Sequence, residues 1–230
     1  MDGYSKKQLL LISEIEEKFK NGEVPSTIVT PVKDYKNDNR ICLTAVAFIP
    51  PELEQQIIEN IIKPLKEADN RQYFYVPNSF HVTIQNIRII EDPPLFDSSD
   101  IEKAKEVFEK IVPKHPRISF RLKRLFELPT SLSVCAFSNE SLGILANELR
   151  AELANSGVPD NKKYASNDVV LGSTTIIRFT TEPNAEFKNI VSQLKNIEIG
   201  NFEVSKINLI TTNCVCVPDK TTVFGEYNLI

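Results

Sequence analysis

The chain has 230 residues, 41% hydrophobic and 25% charged, with a net charge of −4. This is the composition of a globular protein long enough to bury a sizeable core. An acidic chain is not suited to gripping long nucleic acid, because that task requires a dominant basic surface. No stretch reaches the ~18 apolar residues of a membrane span, and residues 1–20 lack the apolar core of a secretory leader. We therefore expect a cytoplasmic protein that binds neither membranes nor long nucleic acid.

The first 39 residues predict one helix and a connector. A capping-box pattern at Ser5-x-x-Gln8 predicts the start of the helix. Apolar residues follow at helical spacing, namely Leu11, Ile12, Ile15 and Phe19. The helix should end at Asn21-Gly22, and residues 23–39, with two prolines, predict an irregular connector.

Five elements are predicted from residue 40 onwards, and the same five recur from residue 132. The first set is a strand (Arg40–Ile49), a helix after Pro50-Pro51 that Pro64 kinks, a strand from His81 to about Ile90, a helix capped by Ser99, and a strand at Ile118–Lys123. The second set is a strand (Leu132–Phe137), a helix capped by Asn139, a strand at Ser173, a helix carrying Phe187–Leu194, and a strand. Two closing strands are predicted at about Phe202–Val217 and Thr222–Leu229.

This repetition indicates a duplicated frame. His81 and Ser173 are 92 residues apart, as are Thr83 and Thr175, and similarity at a fixed interval argues for related structural units. We expect a single domain over residues 40–230, with lobes of about 40–130 and 131–230 on either side of a central cleft. Because each amphipathic helix has one face to bury, helices should pack outside the sheets of an α+β fold.

Two short motifs carry the candidate chemistry. Alternation along a strand places His81, Thr83 and Gln85 on one face. A histidine and a hydroxyl two residues apart can hold a phosphate and move a proton beside it. Residues 173–175, Ser-Thr-Thr, repeat this pattern with serine in place of histidine.

These motifs resemble those of the two-histidine (2H) phosphoesterase superfamily, which contains RNA cyclic phosphodiesterases and 2′-5′ RNA ligases. Its signature is two H-x-[T/S] motifs on facing strands, one per lobe. Here the first is intact at residues 81–83, the second has its hydroxyl at Thr175, and Arg178 occupies a position that is often basic in the family. The resemblance covers residues 40–229 and implies antiparallel-rich sheets around the cleft.

The resemblance also implies the roles of the site residues. His81 would be the catalytic acid or base, and Thr83, Ser173, Thr175 and Arg178 would bind the substrate phosphate. No metal or other cofactor is expected. The implied ligand is a small nucleotide or an RNA terminus, such as a 2′,3′-cyclic phosphate or a 2′-5′ linkage, bound by a monomer.

Ser173 is the departure from the family pattern. A serine hydroxyl does not exchange protons usefully at neutral pH, and losing one positioned proton carrier typically costs ~10²–10⁴ in rate. One hypothesis is therefore an impaired metal-independent phosphodiesterase. The alternative is a binding module of the same fold that kept the phosphate site and lost turnover. A scaffold without a phosphate ligand is a third, more remote hypothesis.

Several other residues favour ordinary structural interpretations. Arg178 has the opposite strand parity to Ser173 and Thr175, so it reaches the cleft only if the strand bends or twists. His115 and the Lys162-Lys163 pair are expected at the solvated surface. The four cysteines lie in apolar runs and predict buried, reduced thiols, namely Cys42, Cys135, Cys214 and Cys216.

Overall fold

The computed structural model describes residues 3–230, which form six α-helices and nine β-strands. The helices are α1 (Gly3–Lys20), α2 (Pro51–Ile57), α3 (Lys63–Ala68), α4 (Ser98–Ile111), α5 (Glu140–Asn155) and α6 (Ala185–Gln193). The strands are β1 (Ile41–Phe48), β2 (Tyr73–Phe74), β3 (His81–Glu91), β4 (Ile118–Leu128), β5 (Ser131–Ser138), β6 (Gly172–Arg178), β7 (Glu198–Val204), β8 (Lys206–Thr212) and β9 (Thr222–Asn228). None of the helices in this described part of the chain combines the length and apolarity needed to traverse a bilayer.

The strands form two antiparallel sheets. Their orders are β3-β1-β8-β9 and β2-β6-β5-β4-β7. The short strand β2 already pairs with β6 in the second sheet, the chain enters that sheet again after α4, where β4 pairs with β5, and it returns to the first sheet when β8 pairs with β1. Each sheet therefore contains strands from both halves, and the expected lobe boundary near residue 130 does not coincide with the division between the sheets. The predicted α+β fold, with antiparallel sheets and surrounding helices, is confirmed.

The ends of the helices follow local chemistry, and the cap of α4 differs from the prediction. The N-cap of α4 is Asp97 rather than Ser99, because the Asp97 carboxylate accepts hydrogen bonds from the backbone N–H groups of Ser99 and Asp100. Asn139 caps α5 as predicted. A π-helical turn at Ile58–Ile62 joins α2 to α3 directly before Pro64, where a wider turn accommodates a residue without a backbone N–H.

Helix α1 packs across the second sheet. Leu11, Ile12 and Ile15 are buried against side chains of β4 and β5, namely Phe126, Cys135 and Phe137. Ser5 and Gln8 lie inside the helix and do not cap it, contrary to the capping-box prediction. The Ser5 hydroxyl donates to the Ser138 carbonyl (3.2 Å), while the Gln8 amide donates to Ser138 Oγ (3.1 Å) and accepts from Ser138 N–H (3.1 Å). These two residues therefore dock α1 onto the end of β5.

The predicted long strand from Phe202 to Val217 is wrong. It is two strands, β7 in the second sheet and β8 in the first, and β8 ends at Thr212. Residues 213–217 form a turn in which the Asn213 side-chain oxygen accepts from the N–H groups of Val215 and Val217 (both 3.3 Å). Cys216 adopts a left-handed conformation with φ +51°. The turn brings Cys214 to the rim of the cleft.

Candidate active site

Strands β3 and β6 meet between the two sheets and line one cavity of about 410 Å³. All five residues selected from the sequence border this cavity, namely His81, Thr83, Ser173, Thr175 and Arg178. Gln85 does not, because its side chain is buried and donates to Asp160 Oδ2 (2.8 Å). The structure thus brings the two motifs together across one cleft.

His81 is the first residue of β3, and its ring is fixed by its neighbours. Its Nδ1 lies 2.8 Å from the Ser79 carbonyl oxygen, which favours a proton on Nδ1 and leaves Nε2 as the basic atom. Burial lowers the pKa of His81, but the Cys216 thiol and the Ser79 carbonyl stabilise the imidazolium and raise the net pKa above its ordinary value. The ring therefore holds its proton more tightly than an ordinary histidine does.

Cys216 does not border the cavity, but it interacts with His81 from behind it, and the sequence did not reveal this contact. It is buried, and its thiol is a hydrogen-bond partner of the His81 ring and lies 3.7 Å from Thr221 Oγ1. Burial by itself would raise the pKa of this thiol. The imidazole and the nearby hydroxyls lower it by a larger amount, so the net pKa lies below its usual value. Only the turn at residues 213–217 brings the thiol to the histidine, so no strand pattern could predict the contact.

Hydroxyl groups line the cavity wall opposite β3. Ser133 on β5 lies beside Thr175 on β6 in the strand register, and its hydroxyl donates to Thr175 Oγ1 (3.3 Å). Ser173 and Ser131 border the same cavity, whereas Thr174 points into the core. This wall offers several donors to phosphate oxygens. Ser131 and Ser133 were missed because their role depends on pairing with β6.

Arg178 reaches the cleft because β6 contains a bulge. The register of β5 and β6 shifts between the pairs Leu132–Ile177 and Ser133–Thr175, so that Ile176 is an extra residue. An extra residue reverses the alternation of side chains between the two faces of the strand beyond it. Arg178 therefore lies on the same face of β6 as Thr175. Its Nη2 donates to the Cys214 carbonyl (3.4 Å), and its buried Nε has no hydrogen-bond partner among residues 3–230.

Lys162 also lines the cavity, contrary to the predicted solvated position. Its loop is fixed to β3, where the Asn161 side-chain oxygen accepts from Ile89 N–H (2.8 Å) and Asp160 accepts from Gln85. Burial and the neighbouring Arg178 lower the pKa of the ammonium group. Within the described residues, no carboxylate lies within ion-pair distance of Lys162 Nζ.

The N-terminal connector forms another wall of the cavity. Residues 26–30 border it, and they are attached to the Lys162 loop. Thr27 N–H donates to the Lys163 carbonyl (3.0 Å), and Lys163 N–H donates to Thr27 Oγ1 (2.9 Å). Arg40 Nη2 donates to the Thr30 carbonyl (3.1 Å). A segment that lies outside the motif-bearing part of the sequence therefore shapes the cleft.

His115 is far less exposed than predicted, and it does not border the cavity. Its ring is buried, with Nε2 2.9 Å from Glu148 Oε2. This contact fastens the segment after α4 to α5. Across residues 3–230, no cluster of three His, Cys, Asp or Glu side chains has the arrangement of a metal site.

Comparisons with known proteins agree with this architecture. No family model and no curated protein sequence matches the chain. Among solved structures, Escherichia coli LigT complexed with 3′-AMP superposes with a TM-score of 0.60 at 17% identity, over 83% of this chain and 99% of that chain. A protein described as a phosphoesterase gives 0.57 at 17% identity, over 83% and 99%. A Thermus thermophilus protein gives 0.54 at 14% identity, over 83% and 97%.

LigT has also been crystallised with ATP, NADP+ and phosphate. Identities of this size show a shared fold and no more. That fold is the one expected from the resemblance to two-histidine phosphoesterases. The catalytic and binding roles assigned to the five motif residues remain predictions.

Proposed function

We propose that this chain is a phosphodiesterase that acts on a small or terminal RNA-like phosphodiester, with protein side chains and no metal ion moving the protons. The observation that carries the proposal is the convergence of His81, Thr175 and Arg178 on one cavity from two different sheets. An imidazole, hydroxyl donors and a guanidinium are the groups that bind a phosphodiester and transfer protons at it.

Each group has a distinct task. His81 transfers a proton at the reacting phosphate, since an imidazole can serve as both acid and base and this one is fixed at the cavity wall. Thr83 and Thr175 donate to the non-bridging phosphate oxygens, with Ser173 as a further donor. Arg178 supplies a permanent positive charge, and charge-assisted hydrogen bonds to phosphate are among the stronger ones in proteins.

The size of the cavity favours a short ligand. The connector residues 26–30 close one side of it, so a long RNA strand would have to displace them. The nucleotide complexes of LigT support a small nucleotide or RNA terminus as the ligand. We further propose a cytoplasmic monomer without a cofactor.

The alternative function is a binding module for nucleotides or RNA ends. Ser173 is the specific observation that favours it, because a hydroxyl preserves phosphate binding but does not transfer protons at neutral pH. Such a module would bind 3′-AMP or a 2′,3′-cyclic nucleotide and leave it intact.

Incubation with 2′,3′-cyclic AMP, with and without EDTA, separates these functions. We expect turnover that survives the chelator and falls by ~10²–10⁴ in His81→Ala, the usual cost of one proton carrier. His115→Gln is the matched control, because it replaces the other histidine at a site away from the cavity. Binding without turnover would support the module. If the protein neither binds nor cleaves the nucleotide, both proposed functions are overturned.

A further inference from the structure

The position of Ser173 leaves the proposed reaction one proton carrier short. Besides His81, the cavity is bordered by a small set of side chains that could titrate. They are Cys42, Tyr75, Glu91, Lys162, Tyr164 and Cys214. Any substitute for the second histidine must be a member of this set that can face a ligand and give up a proton near neutral pH.

Four members of the set are already engaged as donors within the protein. The thiols of Cys42 and Cys214 donate to Thr212 O (3.3 Å) and Asp38 Oδ2 (3.2 Å), and burial raises the pKa of each to about 12. The remaining two are phenols. Tyr75 OH donates to the Cys214 carbonyl (3.0 Å) and Tyr164 OH to Asp160 (3.2 Å). Burial raises the pKa of both phenols.

Glu91 is exposed at the far end of β3, which leaves Lys162. The loop that carries Lys162 is held along β3 by contacts at Gln85 and Ile89. The Lys162 side chain, carried on this loop, borders the same cavity as His81.

Ser173 borders the same cavity as Lys162. Arg178 follows Ser173 by five positions and interacts electrostatically with His81. Asn86 follows His81 by the same five positions and also borders the cavity. Arg178 also interacts electrostatically with Lys162. The Lys162 loop is fixed to β3 on either side of Asn86, by the contacts of Gln85 with Asp160 and of Ile89 with Asn161.

The charges around Lys162 leave it available to a ligand. Arg178 and Arg150 are the nearby cations, Asp160 is the nearby carboxylate, and Cys42 is the nearby thiol. Asp160 is occupied by Arg150 Nε (3.2 Å) and by Gln85. Burial and Arg178 lower the pKa of Lys162, which makes its proton easier to release.

We propose that Lys162 is the second proton carrier of the site and protonates the leaving oxygen in place of the histidine that Ser173 replaces. This inference rests on the proposed phosphodiesterase function. In hydrolysis of a 2′,3′-cyclic phosphate, His81 takes a proton from water as the water oxygen bonds to phosphorus. The bond from phosphorus to one ribose oxygen breaks, and Lys162 gives that oxygen its proton. Solvent then returns the proton from His81 to Lys162.

The dependence on the leaving group tests this role. Lys162→Arg keeps the positive charge but is too weak an acid to donate a proton, because a guanidinium stays protonated in proteins. We expect it to lose ~10²–10⁴ in kcat on 2′,3′-cyclic AMP. On bis(4-nitrophenyl) phosphate, whose phenolate leaves without protonation, the loss should stay below about tenfold. The control variant is Lys66→Met, which removes an exposed lysine on α3 far from the proposed chemistry.

The remaining outcomes are separable. Equal losses on both substrates would show that the lysine side chain matters for binding or packing and not for protonating the leaving oxygen, and no loss on either would show that no proton from Lys162 is needed. Either result overturns the inference and leaves the phosphodiesterase standing. A wild-type protein that binds 3′-AMP but cleaves neither substrate would overturn the phosphodiesterase itself.

Discussion

The thiol of Cys216 lies against the imidazole of His81, so that each group changes the proton affinity of the other. The contact raises the pKa of His81 and lowers that of Cys216. A histidine whose pKa is raised stays protonated to higher pH, and its basic form appears only above that pKa. The thiol therefore tunes the pH at which His81 can act as a base.

Replacing Cys216 by alanine should shift this titration. The imidazolium loses a stabilising partner, so the pKa of His81 should fall, and the acidic limb of the kcat/KM profile should move to lower pH. NMR titration of the His81 ring measures the shift directly, with His115 as an internal reference. An unchanged His81 pKa would show that the Ser79 carbonyl alone sets it.

Arg178 should contribute chiefly to ligand binding. Because its guanidinium has no carboxylate partner among the described residues, it can give its hydrogen bonds to a phosphate. Arg178→Met should weaken 3′-AMP binding about 10- to 100-fold, corresponding to about 1.5–3 kcal/mol for a hydrogen bond involving a charged group. Isothermal titration calorimetry measures this. Arg117→Met, which breaks a surface ion pair with Glu203, should bind as wild type does.

Restoring a histidine tests whether Ser173 and Lys162 serve one task. Lys162→Met should abolish most turnover of 2′,3′-cyclic AMP, and adding Ser173→His should recover a large part of it, because the cavity again holds two proton carriers. In the otherwise wild-type chain, Ser173→His should raise the turnover of 2′,3′-cyclic AMP much less. If the double variant stays as inactive as Lys162→Met, the two positions do not share a role.

Gly172 is required for packing at the start of β6. A Cβ atom there would lie 2.6 Å from the Ala136 carbonyl oxygen and 3.0 Å from the Phe120 ring. Gly172→Ala should destabilise the fold by about 1–3 kcal/mol, the usual cost of overpacking, and displace the adjacent Ser173. Urea unfolding measures the loss. Gly3→Ala, where a Cβ meets nothing within 4 Å, should be neutral or slightly stabilising.

Asp69 should make stability depend on acid pH. Its hydrogen bonds from Arg71 (2.7 Å) and from Asn184 N–H (3.1 Å) join the end of α3 to the start of α6. The Arg71 contact is the main cause of its strongly lowered pKa. Because the folded-state pKa is depressed, the stabilisation is complete above the unfolded pKa of about 4 and is lost as pH falls through the folded value.

Asp69→Asn should therefore cost about 1–3 kcal/mol of unfolding free energy at pH 7, and its difference from wild type should shrink below about pH 4. Denaturant unfolding across this range measures both effects. Asp168→Asn, at an exposed position, should follow the wild-type curve. A difference for Asp69→Asn that is constant with pH would mean that the carboxylate charge is not what stabilises the junction.

The sequence by itself determined most of the helices and strands and the spacing of the two motifs. Apolar and polar residues alternate along β3, which assigns Val82 and Ile84 to one face of the strand and His81 and Thr83 to the opposite face. When one face of a strand is buried, the residues on its other face are determined as well. The fixed interval between the motifs predicted two facing strands, and both line one cavity. These features are local or periodic, and a single sequence displays them directly.

The tertiary structure alone decided which other groups enter the cleft. The bulge at Ile176, which turns Arg178 inward, depends on register with β5. Lys162 reaches the cavity on a loop held by Gln85, a side chain distant in sequence, and Cys216 reaches His81 on a turn held by the local amide of Asn213. Strand and helix patterns report which face of an element is buried, but irregular segments have no period. Their placement is set by specific polar contacts that only the folded chain brings together.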